Sequence, residues 1–182
     1  MRIVSEGSRD RAQPTAQGGA PLIRPFVEAD REAILWINNA SVPAVGALDE
    51  AGLRRLLSFA SLTLVVTPAD APDLVAGFCV LLDPGTAYPS VNYRWFDERY
   101  DDFWYLDRVA IDEPYRDRGF GTALYREVER RARAKMIALE VNVRPRNEGS
   151  LRFHRRQGFV EVGQQETDYG ARVSLQIKRL AT

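Results

Sequence analysis

The sequence predicts an α/β (α+β) fold in a single domain, and three observations carry that prediction. A chain of 182 residues with 45% hydrophobic content can bury one proper core, but it is short for two independent ones. Residues 103–143 read as strand, amphipathic helix, strand, which is a βαβ unit with parallel strands. Residues 62–82 read instead as two strands separated by the turn-rich Pro68-Ala-Asp-Ala-Pro-Asp73, a connection that favours an antiparallel pair.

Taken in order, residues 1–20 are rich in Ser, Gln, Gly, Arg and Pro and read as a flexible tail, leaving 21–182 as the domain. Residues 22–27 form a short strand whose Pro25 suits a sheet edge. Asp30 is placed to cap a helix bearing Ala33, Ile34 and Ile37 on one face, ending at Asn38-Asn39. Asp49 is placed to cap a second helix with Leu53, Leu56, Leu57 and Ala60 at helical spacing. Strands follow at 62–67 and 74–82, the latter stopped by Asp83-Pro-Gly85. Residues 83–102 show no clear period and are too long for an idle connection, so they read as a functional loop. A strand at 103–111, a helix at 119–135 with Leu124, Tyr125, Val128 and Ala132 on one face, and a strand at 137–143 make the βαβ unit. A short helix at 150–157 stops at Gly158, and strands near 159–162 and 172–177 close the chain.

Charge says little as a sum, with 25 basic and 25 acidic residues, and more as a distribution: residues 116–156 hold 12 Arg and Lys against 5 Asp and Glu. The balance predicts neither nucleic acid nor membrane as a partner. One histidine and one cysteine exclude a His-based metal cluster and an intramolecular disulfide; no metal is expected, and a cytoplasmic location suits such a chain. Cys79, within Ala-Gly-Phe-Cys-Val-Leu, reads as a small buried hydrophobe.

The most informative motif is Arg116-Asp-Arg-Gly-Phe-Gly121, where a strand runs into a helix. The first N–H groups of a helix lack partners and its dipole favours negative charge there, so an anion fits. Gly119 and Gly121 clear side chains from the amides, and Arg116 and Arg118 add charge. The alternative is an ordinary tight strand-to-helix turn. Familiar nucleotide motifs do not fit: the third glycine of a dinucleotide fingerprint would fall at Leu124, and no Gly-Lys-Ser/Thr follows.

Four signatures in series then resemble the GCN5-related N-acetyltransferase (GNAT) superfamily: Tyr105-Leu-Asp-Arg-Val-Ala-Ile111, the Arg116-x-x-Gly119-x-Gly121 turn, Leu139-Glu-Val141, and Asn147-x-x-Ser150-x-x-Phe153-His154-x-x-x-Gly158-Phe159. The Ile23-Arg-Pro25 opening extends the resemblance to about residues 21–180. It implies a mixed, mostly antiparallel sheet of about seven strands, splayed between two central parallel strands and flanked by about four helices, with acetyl-CoA in the wedge. It further implies that the backbone around Val109 and Ile111 pairs with the pantetheine arm. Residues 116–122, including Phe120 and Thr122, would cradle the pyrophosphate, and Asn147 and Ser150 would lie on the cofactor side. The basic excess would then meet the CoA phosphates, although Arg126, Arg130, Arg131 and Arg133 also read as a solvated helix face.

Acyl transfer to an amine needs a neutral nucleophile, a polarised thioester carbonyl and a proton for the departing thiolate. Glu140 lies in what reads as a central strand, where an unpaired charge is expensive. It is a general base, as in some relatives that acetylate ribosomal proteins, or it is ion-paired with Arg108 or Arg144. Asp107, on the same strand face as Tyr105, is the second candidate, with a buried ion pair as its alternative. His154 stands where many relatives carry a tyrosine that protonates the thiolate; a histidine near pKa 6.5 is mostly neutral at pH 7, so Tyr105, Tyr115, Tyr169 or water compete for that role with it.

Residues 88–105 hold eight of the 18 aromatics, interleaved with Asp97, Glu98, Asp101 and Asp102. Tyr93, Trp95 and Tyr105 suit a cationic small-molecule amine or peptide acceptor, and the resemblance adds Asn38 and the following loop to that pocket. The alternatives are that these rings anchor the loop or form a homodimer contact. Two functions compete: an N-acetyltransferase, and a CoA-binding sensor or interaction module without turnover.

Overall fold

The computed structural model describes residues 20–180; the expected tail, apart from its last residue, lies outside them. Seven strands and five α-helices follow in the order β1 (Pro21–Pro25), α1 (Arg31–Ala40), α2 (Glu50–Phe59), β2 (Leu62–Pro68), β3 (Gly77–Leu82), α3 (Val91–Asp97), β4 (Trp104–Ile111), α4 (Phe120–Arg131), β5 (Met136–Arg144), α5 (Glu148–Arg156), β6 (Val160–Glu166) and β7 (Arg172–Arg179). They form one sheet in the order β1-β2-β3-β4-β5-β7-β6. Every neighbouring pair is antiparallel except β4 and β5. The mixed, mostly antiparallel sheet is therefore present, with a parallel pair at its centre.

That pair is joined at only two positions, Trp104↔Ile137 and Tyr105↔Ala138. Beyond them β4 stays on β3 as far as Ile111, and β5 stays on β7 as far as Arg144. The two central strands diverge, leaving their facing edges unpaired. Backbone groups there need other partners, which makes the gap a natural ligand site.

Period-two alternation divides the core into two layers. Val65, Phe78 and Val80 meet α1 and α2 through Ile34, Ile37, Leu53 and Leu56. Leu64, Val66, Cys79 and Leu81 meet α4 through Leu124, Tyr125 and Val128. Helices on both faces explain why β2 and β3 read as continuous apolar runs rather than alternating ones. Gly77 fits where β3 crosses the end of β4, since a Cβ would stand 2.5 Å from Ile111 Cδ1 and 2.7 Å from the Ala110 carbonyl oxygen.

Three expectations need correction. The 83–102 segment is not all loop: Ser90 caps α3 by accepting from Tyr93 N at 3.3 Å, and Tyr93 and Phe96 anchor that helix in the core. Two turns are too short to display a period, so five helices stand where about four were expected. Asp30 precedes α1 but does not cap it. Its carboxylate takes both Nη atoms of Arg24 at 2.7 Å and the Val27 N–H at 2.9 Å, a bidentate charged pair that outbids a helix cap. The helix at 120 ends at Arg131, short of residue 135. Asp49 caps α2 as expected, accepting from Gly52 N at 2.7 Å.

Candidate active site

The gap between β4 and β5 opens into a cleft of about 1360 Å³, larger than a typical small-ligand pocket of roughly 300–1,000 Å³. One end lies at the start of α4, the other among the carboxylates of β4 and β5.

At the first end, Asp117 and Gly119 adopt left-handed backbone, φ 58° and 84°, turning the chain sharply into α4. The first bond of that helix runs from Ala123 N to the Gly119 carbonyl at 2.9 Å. The N–H groups of 120–122 precede it and have no helical acceptor, so an anion is favoured there. The two glycines serve different ends. At Gly119 a Cβ would meet nothing within 4 Å, and its backbone angle is the reason for glycine. At Gly121 a Cβ would stand 3.2 Å from the Phe153 ring, so this glycine lets α5 approach α4.

Val109, Ile111, Arg116, Gly119, Gly121, Thr122, Asn147 and Ser150 border the cleft; Arg118 and Phe120 do not. The Arg118 guanidinium lies over Tyr115, 5.5 Å from the ring centroid, and Phe120 packs in the core against the same ring. Phe120, packed in the core, can meet an anion only through its backbone N–H. Asn147 Oδ1 caps α5 by accepting from Ser150 N at 3.1 Å. Arg152 and Arg156, not singled out from sequence, border the cleft beside Arg116, and none of the three has an ion-pair partner among the described residues. The spacing of Arg152 from Arg156, four residues or about one helical turn, was the available signal. By contrast, Arg130 and Arg131 both bind Glu127, holding its carboxyl down at about 2. They are the solvated helix face.

His154 is buried with both ring nitrogens engaged. Nε2 lies 2.6 Å from Tyr125 Oη, and Nδ1 lies 2.8 Å from the Ser150 carbonyl and 3.1 Å from Ser150 Oγ. A carbonyl can only accept, so Nδ1 carries the proton and Nε2 accepts from the phenol. Burial pushes the ring down to about 4, so it is neutral near pH 7. This geometry suits a clasp between α4 and α5 and leaves no N–H for a thiolate.

At the other end, Glu140 receives Tyr105 Oη at 2.6 Å on one carboxylate oxygen and Asn92 Nδ2 at 3.0 Å on the other. Neither arginine weighed as its partner reaches it: Arg144 pairs with Glu166 at 2.7 Å, and Arg108 Nε lies 3.2 Å from Asp107 Oδ2. Its depth in the protein, reinforced by the Asp107 charge, raises the carboxyl from 4.5 to about 7, against hydrogen bonds from Tyr105, Asn92 and its own backbone that lower it. The side chain is only half-buried by surface because one edge meets the cleft; the upward direction follows from depth rather than full enclosure.

Asp107 is the ion-paired alternative. Its side chain is 7% exposed, and burial outweighs Arg108 to raise its carboxyl too. The Arg108 contact is close but misaligned, so neither Asp107 Oδ2 nor Arg108 Nε makes a hydrogen bond there. Arg108 also donates to Asn38 Oδ1 at 2.8 Å and to the Gly46 carbonyl, tying the α1–α2 loop to β4.

None of the four residues expected to touch the acceptor lines the cleft. Tyr93 is fully buried, donating to the Asp83 carbonyl at 2.8 Å. Trp95 packs on Phe96 and under Arg99, whose guanidinium lies 4.3 Å from the ring centroid. Tyr105 and Asn38 stand behind Glu140 and Arg108. Most aromatics of 88–105 therefore build core, as the packing alternative held. At the carboxylate end the wall of the cleft consists instead of residues 40–48, Tyr88, Asn92 and Tyr169. Among the described residues no cluster of three or more His, Cys, Asp or Glu is placed to hold a metal, and no helix is long and apolar enough to cross a membrane.

No curated protein matches the chain significantly in sequence, whereas many solved structures match it in fold. Ard1 from Thermoplasma volcanium superposes with a TM-score of 0.70 at 21% identity, covering 90% of this chain and 99% of its own. The ribosomal-protein-S18-alanine N-acetyltransferase of Escherichia coli gives 0.64 at 17%, covering 90% and 96%. NAA60 of Arabidopsis thaliana, solved with acetyl-CoA, gives 0.68 at 17%, covering 88% and 100%. At these identities the likeness is one of fold. The family itself follows from sequence: the model of the acetyltransferase (GNAT) family matches residues 36–159, which include both strands of the splay, the α4 turn and α5, and the chain belongs to that family.

Proposed function

We propose that the protein is an N-acetyltransferase that moves an acetyl or related acyl group from coenzyme A to a primary amine, by direct attack within a ternary complex. The observation that carries this reading is Glu140: a carboxylate bordering the cleft, held by Tyr105 and Asn92, without a cationic partner among the described residues, and raised to about 7. Such a group is half ionised near neutrality and well matched to taking a proton from an ammonium.

The chemistry balances as follows. Glu140 accepts the proton that the ammonium loses, and the freed nitrogen lone pair forms a C–N bond to the thioester carbonyl carbon. Negative charge collects on the carbonyl oxygen, where an unpaired N–H on the splayed edge of β4 can stabilise it. The attacking nitrogen, cationic once the C–N bond has formed, gives up its second proton to water, and collapse breaks the C–S bond and releases CoA thiolate. With His154 engaged at both nitrogens, water or the protonated Glu140 supplies the proton that the thiolate takes up. The helix start at 120–122 with Arg116, Arg152 and Arg156 suits the phosphates of CoA. The acceptor, a small amine or a peptide N-terminus, enters past Tyr88 and Tyr169. A reducing, cytoplasmic setting fits a buried, unreactive Cys79, whose thiol burial pushes up to about 12.

The test is release of free thiol from acetyl-CoA across a panel of amines, polyamines, amino acids and peptides, with Glu140→Gln alongside. Turnover on at least one amine, lowered at least a hundredfold by Glu140→Gln, is expected. CoA binding without turnover on any acceptor would transfer the reading to a sensor or interaction module.

A further inference from the structure

Asn92 is the second residue of α3, 2% exposed, and its amide is used at both ends. Nδ2 lies 3.0 Å from Glu140 Oε1 and 3.4 Å from Tyr169 Oη, while Oδ1 accepts from Gln165 Nε2 at 2.6 Å. An ionised carboxylate can only accept, so Asn92 must present its NH2 to Glu140 and its oxygen to β6. Gln165 completes that arrangement by donating to the oxygen from the other side. Three separate parts of the fold, α3, β6 and the β6–β7 turn that carries Tyr169, thus converge on one carboxylate of β5.

We infer that Asn92 is a positioning residue for Glu140: its amide, paired with Gln165, is one of the two side-chain donors that hold the carboxylate in place and favour its ionised form. The inference rests on Glu140 being the base. It adds a residue and a remote partner that the reaction itself does not require. A tyrosine hydroxyl on the other oxygen does not substitute for the amide, because each oxygen has its own donor. The other groups around Glu140 are Tyr105, Asp107 and Arg108 from β4, Tyr88 ahead of α3, and Tyr169. Across the sheet, the β7 residue in register is the apolar Leu175. Of these, Tyr105 and Asn92 donate to the carboxylate, and Asp107 opposes its charge.

The link can be cut in two places. Asn92→Leu keeps the branched shape of the side chain and removes the donor. Gln165→Glu changes a residue that does not touch Glu140. A carboxylate there accepts from the Asn92 NH2 and turns its oxygen toward Glu140. The measurement is kcat against pH for both variants and for Glu140→Gln, using the panel amine with the highest turnover, and with free coenzyme A affinity measured in parallel. Both variants should move the ascending limb of kcat up by about one pH unit, so that kcat falls roughly fivefold at pH 7 and converges on the parent value near pH 9. CoA affinity should stay within about twofold. A limb left in place, with kcat lowered equally at every pH, overturns the inference and leaves Asn92 as packing. If Asn92→Leu does not fold, Gln165→Glu, at the partly exposed sheet edge, decides alone. If Glu140→Gln keeps the parent rate and limb, it is the assignment of the base that has failed. Loss of activity in Glu140→Gln with no shift in the other two sinks only the role of Asn92.

Discussion

The phenol of Tyr105 reaches across the splay to donate a 2.6 Å hydrogen bond to Glu140 Oε2, so the last residue of β4 to pair with β5 also holds the carboxylate that lies just beyond the divergence. This bond favours the anion. Tyr105→Phe should therefore raise the pKa of Glu140 and move the ascending limb of kcat upward by about one unit. Initial rates from pH 6 to 9 check it, and a downward shift would contradict the assigned sense of the bond.

Glu140 should also leave a mark on stability. Its folded pKa of about 7 exceeds the ordinary 4.5, so the folded state holds more protons between those values and stability falls as pH rises through that window. Glu140→Gln removes this loss. Thermal unfolding at pH 5 and pH 8 should show the variant gaining on the parent at the higher pH, by on the order of 1 kcal/mol.

His154 has the opposite sign. Its pKa is lowered to about 4, so the neutral ring supports the fold above about pH 6.5 and that support is lost progressively as pH falls toward 4. His154→Phe leaves Tyr125 Oη and the Ser150 carbonyl without their partner, and should cost about 1–3 kcal/mol at pH 7.5. The cost should shrink toward pH 4. The ascending limb of kcat should not move in the folded variant, since the ring's one proton is held by the Ser150 carbonyl.

Coenzyme A should distinguish two kinds of arginine. Arg116→Ala, Arg152→Ala and Arg156→Ala should each weaken binding several-fold, roughly 1 kcal/mol, with a shallower salt dependence than the parent. Arg130→Ala, removing a residue already spent on Glu127, should leave affinity unchanged. Titration calorimetry at two salt concentrations separates them.

Arg108 predicts a selective defect. It ties Asn38 and the Gly46 carbonyl to β4 beside Asp107, so Arg108→Ala should loosen the α1–α2 loop. The KM for the amine should rise about tenfold or more while CoA affinity holds. Equal losses for both substrates would argue for general unfolding instead.

The fold was legible because its signals are local or strongly ordered: the Asp49 cap, the turn between β2 and β3, the strand-turn-helix at Arg116 to Gly121. What escaped was set by neighbours remote in sequence. Two turns of α3 exist because Tyr93 and Phe96 find the core, which no period in seven residues displays. Asp30 looked like a cap and was taken by Arg24. Glu140 and Asp107 were visible as charges in apolar strands, but pairing Arg108 with one rather than the other is a matter of side-chain direction. Asn92 and Gln165, 73 residues apart, carry no pattern that sequence spacing can reveal.

Two rungs between β4 and β5 also make the sheet mechanically two half-sheets, one ending at β4 and the other beginning at β5, coupled chiefly at one end. An extended ligand lying in the gap supplies the missing ladder. Binding of CoA should then register as slowed amide hydrogen exchange along both facing edges, strongest past Leu106 and Leu139, and as a rise in the cooperativity with which the halves unfold. In mechanical terms, CoA would act as a temporary eighth strand.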